Sequence, residues 1–329
     1  MRGKVVRPSL YLCFFFAVVF FTAGFSLSGM AQDFDSWVKD FKKEALAKGI
    51  KQDVLDLAFE GVEPKSRIIE LDRKQPEGTL TFARYAEKAL NKTRIAQGRR
   101  LYAEHRGELE KVAKAYGVPA PYIVALWGIE TSYGNNTGGF DVVTALATLA
   151  YDGRRSEFFR GELLEALRIL QEGHITKKQM EGSWAGAMGQ NQFMPSSFFK
   201  FAVDGDQDGR RDIWTSLPDV FSSTANYLHT SGWKKDERWG REVVLPDGFD
   251  QKLVGLEVQY PLRAWNDMGL RLPGGGFLPV AGMSGSVVLP DGPGGRAFLV
   301  YDNYRVIMKW NRSFYFATVV GLLADQIAQ

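Results

Sequence analysis

The chain has 329 residues, 45% of them hydrophobic and 24% charged, with 41 basic against 38 acidic side chains. Those are ordinary globular proportions, enough for a sizeable core in one large domain or two modest ones. Three of the basic residues, Arg2, Lys4 and Arg7, stand in an N-terminal stretch without acids, so the remainder holds 38 of each sign; a neutral body gives no electrostatic reason to expect nucleic acid as a partner.

That basic start is followed by an apolar run from Leu10 to Phe25 and then by small residues ending in Ser28-Gly-Met-Ala31. A basic head, an apolar stretch and a small-residue cleavage site make residues 1–31 read as a secretory signal peptide, which implies export to the periplasm. The run is about sixteen residues, short of the roughly twenty that a membrane span needs, so a retained inner-membrane anchor is the alternative and a stable span in the mature form is not expected. Cys13, the single cysteine, lies inside the run after Leu12. It does not fit a lipidated cysteine, and the mature chain would carry no thiol or disulfide.

From residue 32 to about 240 the pattern is helical. Phe34, Trp37, Val38 and Phe41 recur at the spacing of one buried helix face, Val54 to Phe59 make a second helix, and Ile95 to Val112 predict a long third. Pro119 and Pro121 open another at Tyr122 to Ile129. This last helix runs into Ala125-Leu-Trp-Gly-Ile-Glu130-Thr-Ser-Tyr-Gly134, where Glu130 follows eight residues that are all apolar or glycine. Gly134 and two asparagines mark the helix end, so Glu130 sits in the last turn beside unpaired carbonyls. Burial and that dipole end both disfavour the carboxylate and raise its pKa. A glutamate held protonated near neutrality is what glycosidic cleavage needs; an exposed helix-end glutamate is the plain alternative.

Further along, Gly182-Ser-Trp-Ala-Gly-Ala-Met-Gly-Gln-Asn-Gln192 sets three glycines among Ser183, Gln190, Asn191 and Gln192. Such a loop can approach a sugar closely and meet its hydroxyls, or be no more than a set of turns. Asp204-Gly-Asp206-Gln-Asp208-Gly209 satisfies the first half of a calcium loop, although position 12 is Thr215 rather than glutamate. Met180, Met188 and Met194 read as packing groups, and His174 and His229 have no metal-ligand spacing.

Over residues 241–310 the character changes. Short runs at Val254 to Tyr260, Val287 to Leu289, Phe298 to Tyr301 and Val306 to Met308 are separated by glycine-rich turns, predicting a small inserted β subdomain. Helical spacing returns in 311–329 through Phe316, Val320, Leu323 and Ile327, predicting a final helix that packs back on the helical body. The fold class is mainly α (α+β).

An ordered set of motifs then carries a resemblance. Asp72-Arg-Lys-Gln-Pro-Glu77, Glu130-Thr-x-Tyr-Gly, Arg154-Arg-x-Glu-Phe-Phe, the loop from Gly182 through Pro195-Ser-Ser, Thr224-Ala-Asn-Tyr227-Leu with Gly232-Trp233, and Trp310-Asn311-x-Ser313 follow one another. In that order they resemble the B-type lytic murein transglycosylases (glycoside hydrolase family 103), over nearly the whole mature chain.

The resemblance implies a lysozyme-like core and cleavage of the β-1,4 bond between N-acetylmuramic acid and N-acetylglucosamine of peptidoglycan without water. It makes Glu130 the single acid/base, and matches Ser183, Gln192, Tyr227 and Asn311 to substrate contacts. Phe158, Trp310 and Phe316 stand where the family often has tyrosine, so hydroxyl contacts would be lost while stacking persists. Related chains imply a longer calcium loop, here Asp204, Asp206, Asp208, the Arg210 carbonyl and Asp219, holding a structural Ca2+; a metal-free acidic turn is the alternative. The chemistry itself needs no cofactor, and a monomer acting on glycan strands is expected.

Ordinary glycosidases use two carboxylates. Asp141 and Asp152, nearby in sequence, read as solvated loop residues, and a lone acid suits intramolecular attack. A water-using muramidase and a non-catalytic peptidoglycan-binding protein of the same fold remain the competing readings.

Overall fold

A computed structural model describes residues 33–74 and 80–329. The expected signal segment 1–31, and residues 75–77 of the first resemblance motif, lie outside them. Phe34–Gln329 form one compact unit.

The chain opens with six helices: α1 (Phe34–Ala47), α2 (Gln52–Phe59), α3 (Ser66–Arg73), α4 (Phe82–Ala89), α5 (Lys92–Glu104) and α6 (Arg106–Tyr116). The long third helix expected from periodicity is thus two, broken at His105, whose backbone leaves the helical region at ψ 18° before the chain restarts. Then come α7 (Ala120–Thr131), strand β1 (Phe140–Asp141), α8 (Val142–Asp152), α9 (Ser156–Gln171), β2 (Glu181–Gly182), α10 (Pro195–Phe201) and α11 (Leu217–Thr230). The last stretch runs β3 (Gly240–Val243), β4 (Tyr260–Pro261), α12 (Leu262–Asp267), β5 (Ser284–Val288), β6 (Ala297–Val300), α13 (Asp302–Trp310) and α14 (Phe314–Ile327).

The expected small sheet exists, in antiparallel order β3-β6-β5-β4 with Val243 opposite Ala297 and Val287 opposite Leu299. Two expected strands are corrected. Val306 to Met308 lies in α13, where Val306 and Ile307 are buried on one face of a helix begun at Asp302; a three-residue apolar run cannot distinguish the two periods. Of Val254 to Tyr260 only Tyr260 belongs to a strand, with Val254 making one isolated bridge to Val287.

Three apolar clusters result. One gathers α4 to α7, α11, α13 and α14; a second gathers α1 to α3 with α8 to α10 and includes the fully buried Met180 and Met188; the third fills the sheet subdomain around Trp265. Tyr227 and Trp310 pack against both helical clusters at once. They mark the seam between them, and that seam positions the site.

Trp239 joins the sheet to the helices. Its indole Nε1 donates to Asp325 at 3.0 Å and its backbone N–H to the Tyr122 hydroxyl at 3.2 Å. It also lies against Gly321 of α14, where a Cβ would meet the indole at 2.2 Å. Two resemblance motifs meet elsewhere: Asp72, buried, is clasped by Arg154 at 3.1 Å and by Arg155, a framework ion pair rather than a reacting group.

Candidate active site

Helix α7 is buried from Ala120 through Gly128 apart from Pro121, because nearly every side chain in it is apolar. It ends at Thr131, earlier than Gly134. Ser132, Tyr133 and Gly134 all adopt left-handed φ values of 51°, 62° and 81°. Two of these are not glycine, a conformation that persists only where surroundings enforce it. Here Tyr133 is buried with its hydroxyl donating to the Arg94 carbonyl at 2.8 Å, and Thr131 Oγ1 accepts from Gly134 N–H at 3.0 Å. The turn is therefore rigid, and Glu130, one residue inside it, is fixed with it.

Glu130 keeps part of its surface accessible while atoms crowd it on most sides, the combination found at the floor of a cleft. Burial pushes its pKa up to about 7, against the opposing effect of one hydrogen bond: the Trp310 indole Nε1 donates to Oε1 at 2.8 Å. No carboxylate figures among the described influences on Glu130, and Oε2 has no protein partner among the described residues, so it can face a substrate. Trp310 in turn packs on Tyr227 (ring centroids 4.6 Å) and Phe193 (5.2 Å). Tyr227 is anchored by its hydroxyl, which donates to the Lys309 carbonyl at 2.6 Å.

The loop after β2 is folded onto α7 by Gln190. Its Oε1 accepts from Trp127 Nε1 at 2.7 Å, its Nε2 donates to the Trp214 carbonyl at 2.8 Å, and its own carbonyl accepts from Thr131 Oγ1 at 3.1 Å. Gly134 makes room for it, since a Cβ there would lie 2.3 Å from Gln190 Oε1. This corrects the expectation that Gln190 and Asn191 meet sugars. Both are buried, and the Asn191 amide donates to the Val220 carbonyl and Thr224 Oγ1. Ser183 and Gln192 are only half-buried. Ser183 Oγ accepts from Ala187 N–H at 3.1 Å, and Gln192, at φ 52°, spends its Nε2 on the Thr137 and Gly189 carbonyls.

The remaining expected contacts divide. Asn311 is exposed at the end of α13 beside Trp310. Phe158 is 49% exposed on α9, touching Phe159, and no described contact joins it to the Glu130 group. Phe316 is corrected: at 5% exposed it belongs to the core and offers no face to a sugar. Asp141 and Asp152 are corrected too. Asp141 caps α8 by accepting from Thr144 N–H at 2.6 Å and pairs with Lys177, while Asp152 ends α8 paired with Arg73 at 2.8 Å. Sequence reasoning missed Tyr85 of α4. Burial, and beyond it the charge of Glu130, pushes that phenol up, which places it within electrostatic reach of the acid. Nothing in the run Phe82-Ala-Arg-Tyr85 signals chemistry; only the packing of α4 on α14 brings it there.

Cavity size does not select the site. A depression of about 520 Å3 lies by the sheet, but there Arg296 and Glu242 neutralise one another at 2.6 Å.

In the acidic loop, carboxylate oxygens of Asp204, Asp206 and Asp219 lie within 4.8 Å of one another. Asp219, wholly buried at the start of α11, accepts from Gly205 N–H at 2.7 Å and Asp212 N–H at 2.6 Å; burial pushes it up to about 6. Three hard oxygen donors, one of them buried, fit a cation such as calcium. Asp208 stands outside that trio, accepting from Arg210 N–H at 2.8 Å, and both residues are exposed.

Comparison with known proteins places the chain among relatives of known family. Residues 33–325 match the Transglycosylase SLT domain family. Membrane-bound lytic murein transglycosylase B of Escherichia coli (strain K12) is 30% identical over 269 residues, 78% of this chain and 70% of that one. SltB3 from Pseudomonas aeruginosa, solved in complex with NAG-anhNAM-pentapeptide and with NAG-NAM-pentapeptide, superposes with a TM-score of 0.88 at 47% identity, covering 90% of this chain and 80% of that one. The Escherichia coli lytic transglycosylase Slt35 in complex with calcium gives a TM-score of 0.76 at 26% identity, covering 88% of this chain and 92% of that one. With a rigid, half-buried glutamate at the seam of a lysozyme-like helical body, the chain belongs to the B-type lytic murein transglycosylases.

Proposed function

We propose that Glu130 carries both proton transfers in cutting peptidoglycan glycan strands. As the acid it protonates the oxygen of the β-1,4 bond between N-acetylmuramic acid and N-acetylglucosamine, and the bond from that oxygen to the anomeric carbon breaks. As the resulting carboxylate it takes the proton of the muramyl C6 hydroxyl, whose oxygen bonds to the same carbon. The product is a 1,6-anhydromuramyl end; no water is consumed and Glu130 ends protonated, as it began. The observation that carries this reading is a single carboxyl near pKa 7, fixed by Trp310 through one oxygen and open through the other.

Ser183, Gln192, Tyr227, Trp310, Asn311 and the added Tyr85 are the groups we assign to the glycan, and we place the reaction in the periplasm, where that polymer lies. The relatives solved with muropeptides support the substrate class. The acidic loop would hold a structural calcium through Asp204, Asp206 and Asp219, bracing α11, which carries Tyr227; the calcium-bound relative supports this.

Digestion of purified sacculi followed by mass analysis of the glycan ends tests the chemistry. Anhydromuramyl ends are expected, whereas reducing muramyl ends would assign a hydrolase. Glu130→Gln keeps the Trp310 bond and the fold but lowers cleavage by about a thousandfold or more. Retained activity in that variant would remove Glu130 from its role.

A further inference from the structure

Helix α13, which delivers Trp310 to Glu130, turns a different face to the surface. Arg305, Met308 and Lys309 follow at i, i+3 and i+4 on one helical face, and Arg312 stands two residues past the helix end at Trp310. With Leu256 they line a cavity of about 420 Å3.

Its charge is poorly compensated. Arg305 donates through Nη2 to the Leu256 carbonyl and to Ser286 Oγ at 2.8 Å, and Lys309 Nζ donates to the Ser231 carbonyl at 2.7 Å. All of these acceptors are neutral. Among the described residues the acid paired with the group is Asp302, which lies 3.9 Å from Arg305 Nε and is already engaged by Lys234 and Gln259. Arg312 is exposed and, among the described residues, has no hydrogen-bond or ion-pair partner.

The cavity is also tied to the cleft. The Lys309 carbonyl is the acceptor for Tyr227, and the next residue is Trp310, whose indole reaches Glu130. Arg312 also follows directly on Asn311, one of the groups assigned to the glycan. Muramic acid bears, through its lactyl group, a peptide with free carboxylates.

We propose that the cavity lined by Arg305, Lys309 and Arg312 receives a carboxylate of the peptide stem on muramic acid, so that the protein reads the stem as well as the sugar. This rests on the glycan-cleaving reading above.

Two measurements test it. In the first, kcat/KM is compared on strands with free stems, strands with amidated stems and strands freed of peptide by an amidase. The preference for free stems over peptide-free strands is expected to shrink about threefold in Arg312→Gln and about tenfold in Arg312→Glu, and to disappear in the native protein when the stems are amidated. An unchanged preference in both variants, or one that survives amidation, overturns the proposal. The second uses calorimetry of a stem-bearing disaccharide on the Glu130→Gln protein, which reads the cavity whether or not cleavage occurs. Adding Arg312→Glu is expected to weaken that binding about tenfold and to reduce its sensitivity to salt; equal affinity overturns the proposal without touching the role of Glu130.

Discussion

Glu130 and Trp310 act as a unit because an indole nitrogen can only donate. A donor-only partner stabilises the carboxylate, and burial stabilises the acid; the balance sets Glu130 at about 7. In the proposed reaction the proton must be on Glu130 when the glycosidic bond breaks, so turnover falls as pH rises through about 7. In Trp310→Phe the stabilising bond to the carboxylate is gone while most of the burial remains. The alkaline limb of the kcat/KM profile then moves to higher pH by about half a unit to one unit, with the maximum rate reduced by loss of alignment. A limb that stays in place, measured on the same sacculi, would show that another group controls it. A tyrosine at this position can accept as well as donate, so tryptophan narrows the choice of which carboxyl oxygen bears the proton.

Among the elements, the acidic loop has the plainest expected response. Calcium bound only by the folded state adds RT ln(1 + [L]/Kd), about 2.7 kcal/mol at a hundredfold excess over Kd. Calcium should therefore raise the thermal midpoint by several degrees, and Asp219→Asn should remove the response in calorimetry without removing the fold. An equal midpoint with calcium and with chelator would make the loop an ordinary acidic turn.

The elements also show what could be read in advance. Helix α7 was legible because eight consecutive apolar or glycine residues follow a pair of helix-opening prolines, and the turn cluster after it gave the end to within a few residues, while a buried Glu130 was one of two readings. The partner that matters most to Glu130 comes 180 residues later, and no local pattern announces a hydrogen bond across that separation. Gln190 and Asn191 misled for a related reason. An amide in a glycine-rich loop looks the same whether it faces a ligand or bridges Trp127 and Trp214, and only packing decides. Phe316 failed because resemblance supplies a position but not its exposure.

At the scale of the molecule, α14 and the Trp239 latch hold α7 in place. Gly321→Ala sets a methyl against the Trp239 indole at 2.2 Å, with backbone helix on one side and a fully buried ring on the other. Overpacking of that kind costs about 1–3 kcal/mol, so the thermal midpoint is expected to drop by about 2–5 °C. A midpoint unchanged in a thermal melt would mean that the helix shifts freely and does not brace the site.

Helix α14 spans 314–327 yet lies against α7, which spans 120–131. During synthesis, then, the wall of the glutamate's pocket is made long after the glutamate itself. A polypeptide not yet complete lacks both that wall and the tryptophan that bonds to the acid. It stays harmless to the polymer it will later cut, a delay written into the order of the chain.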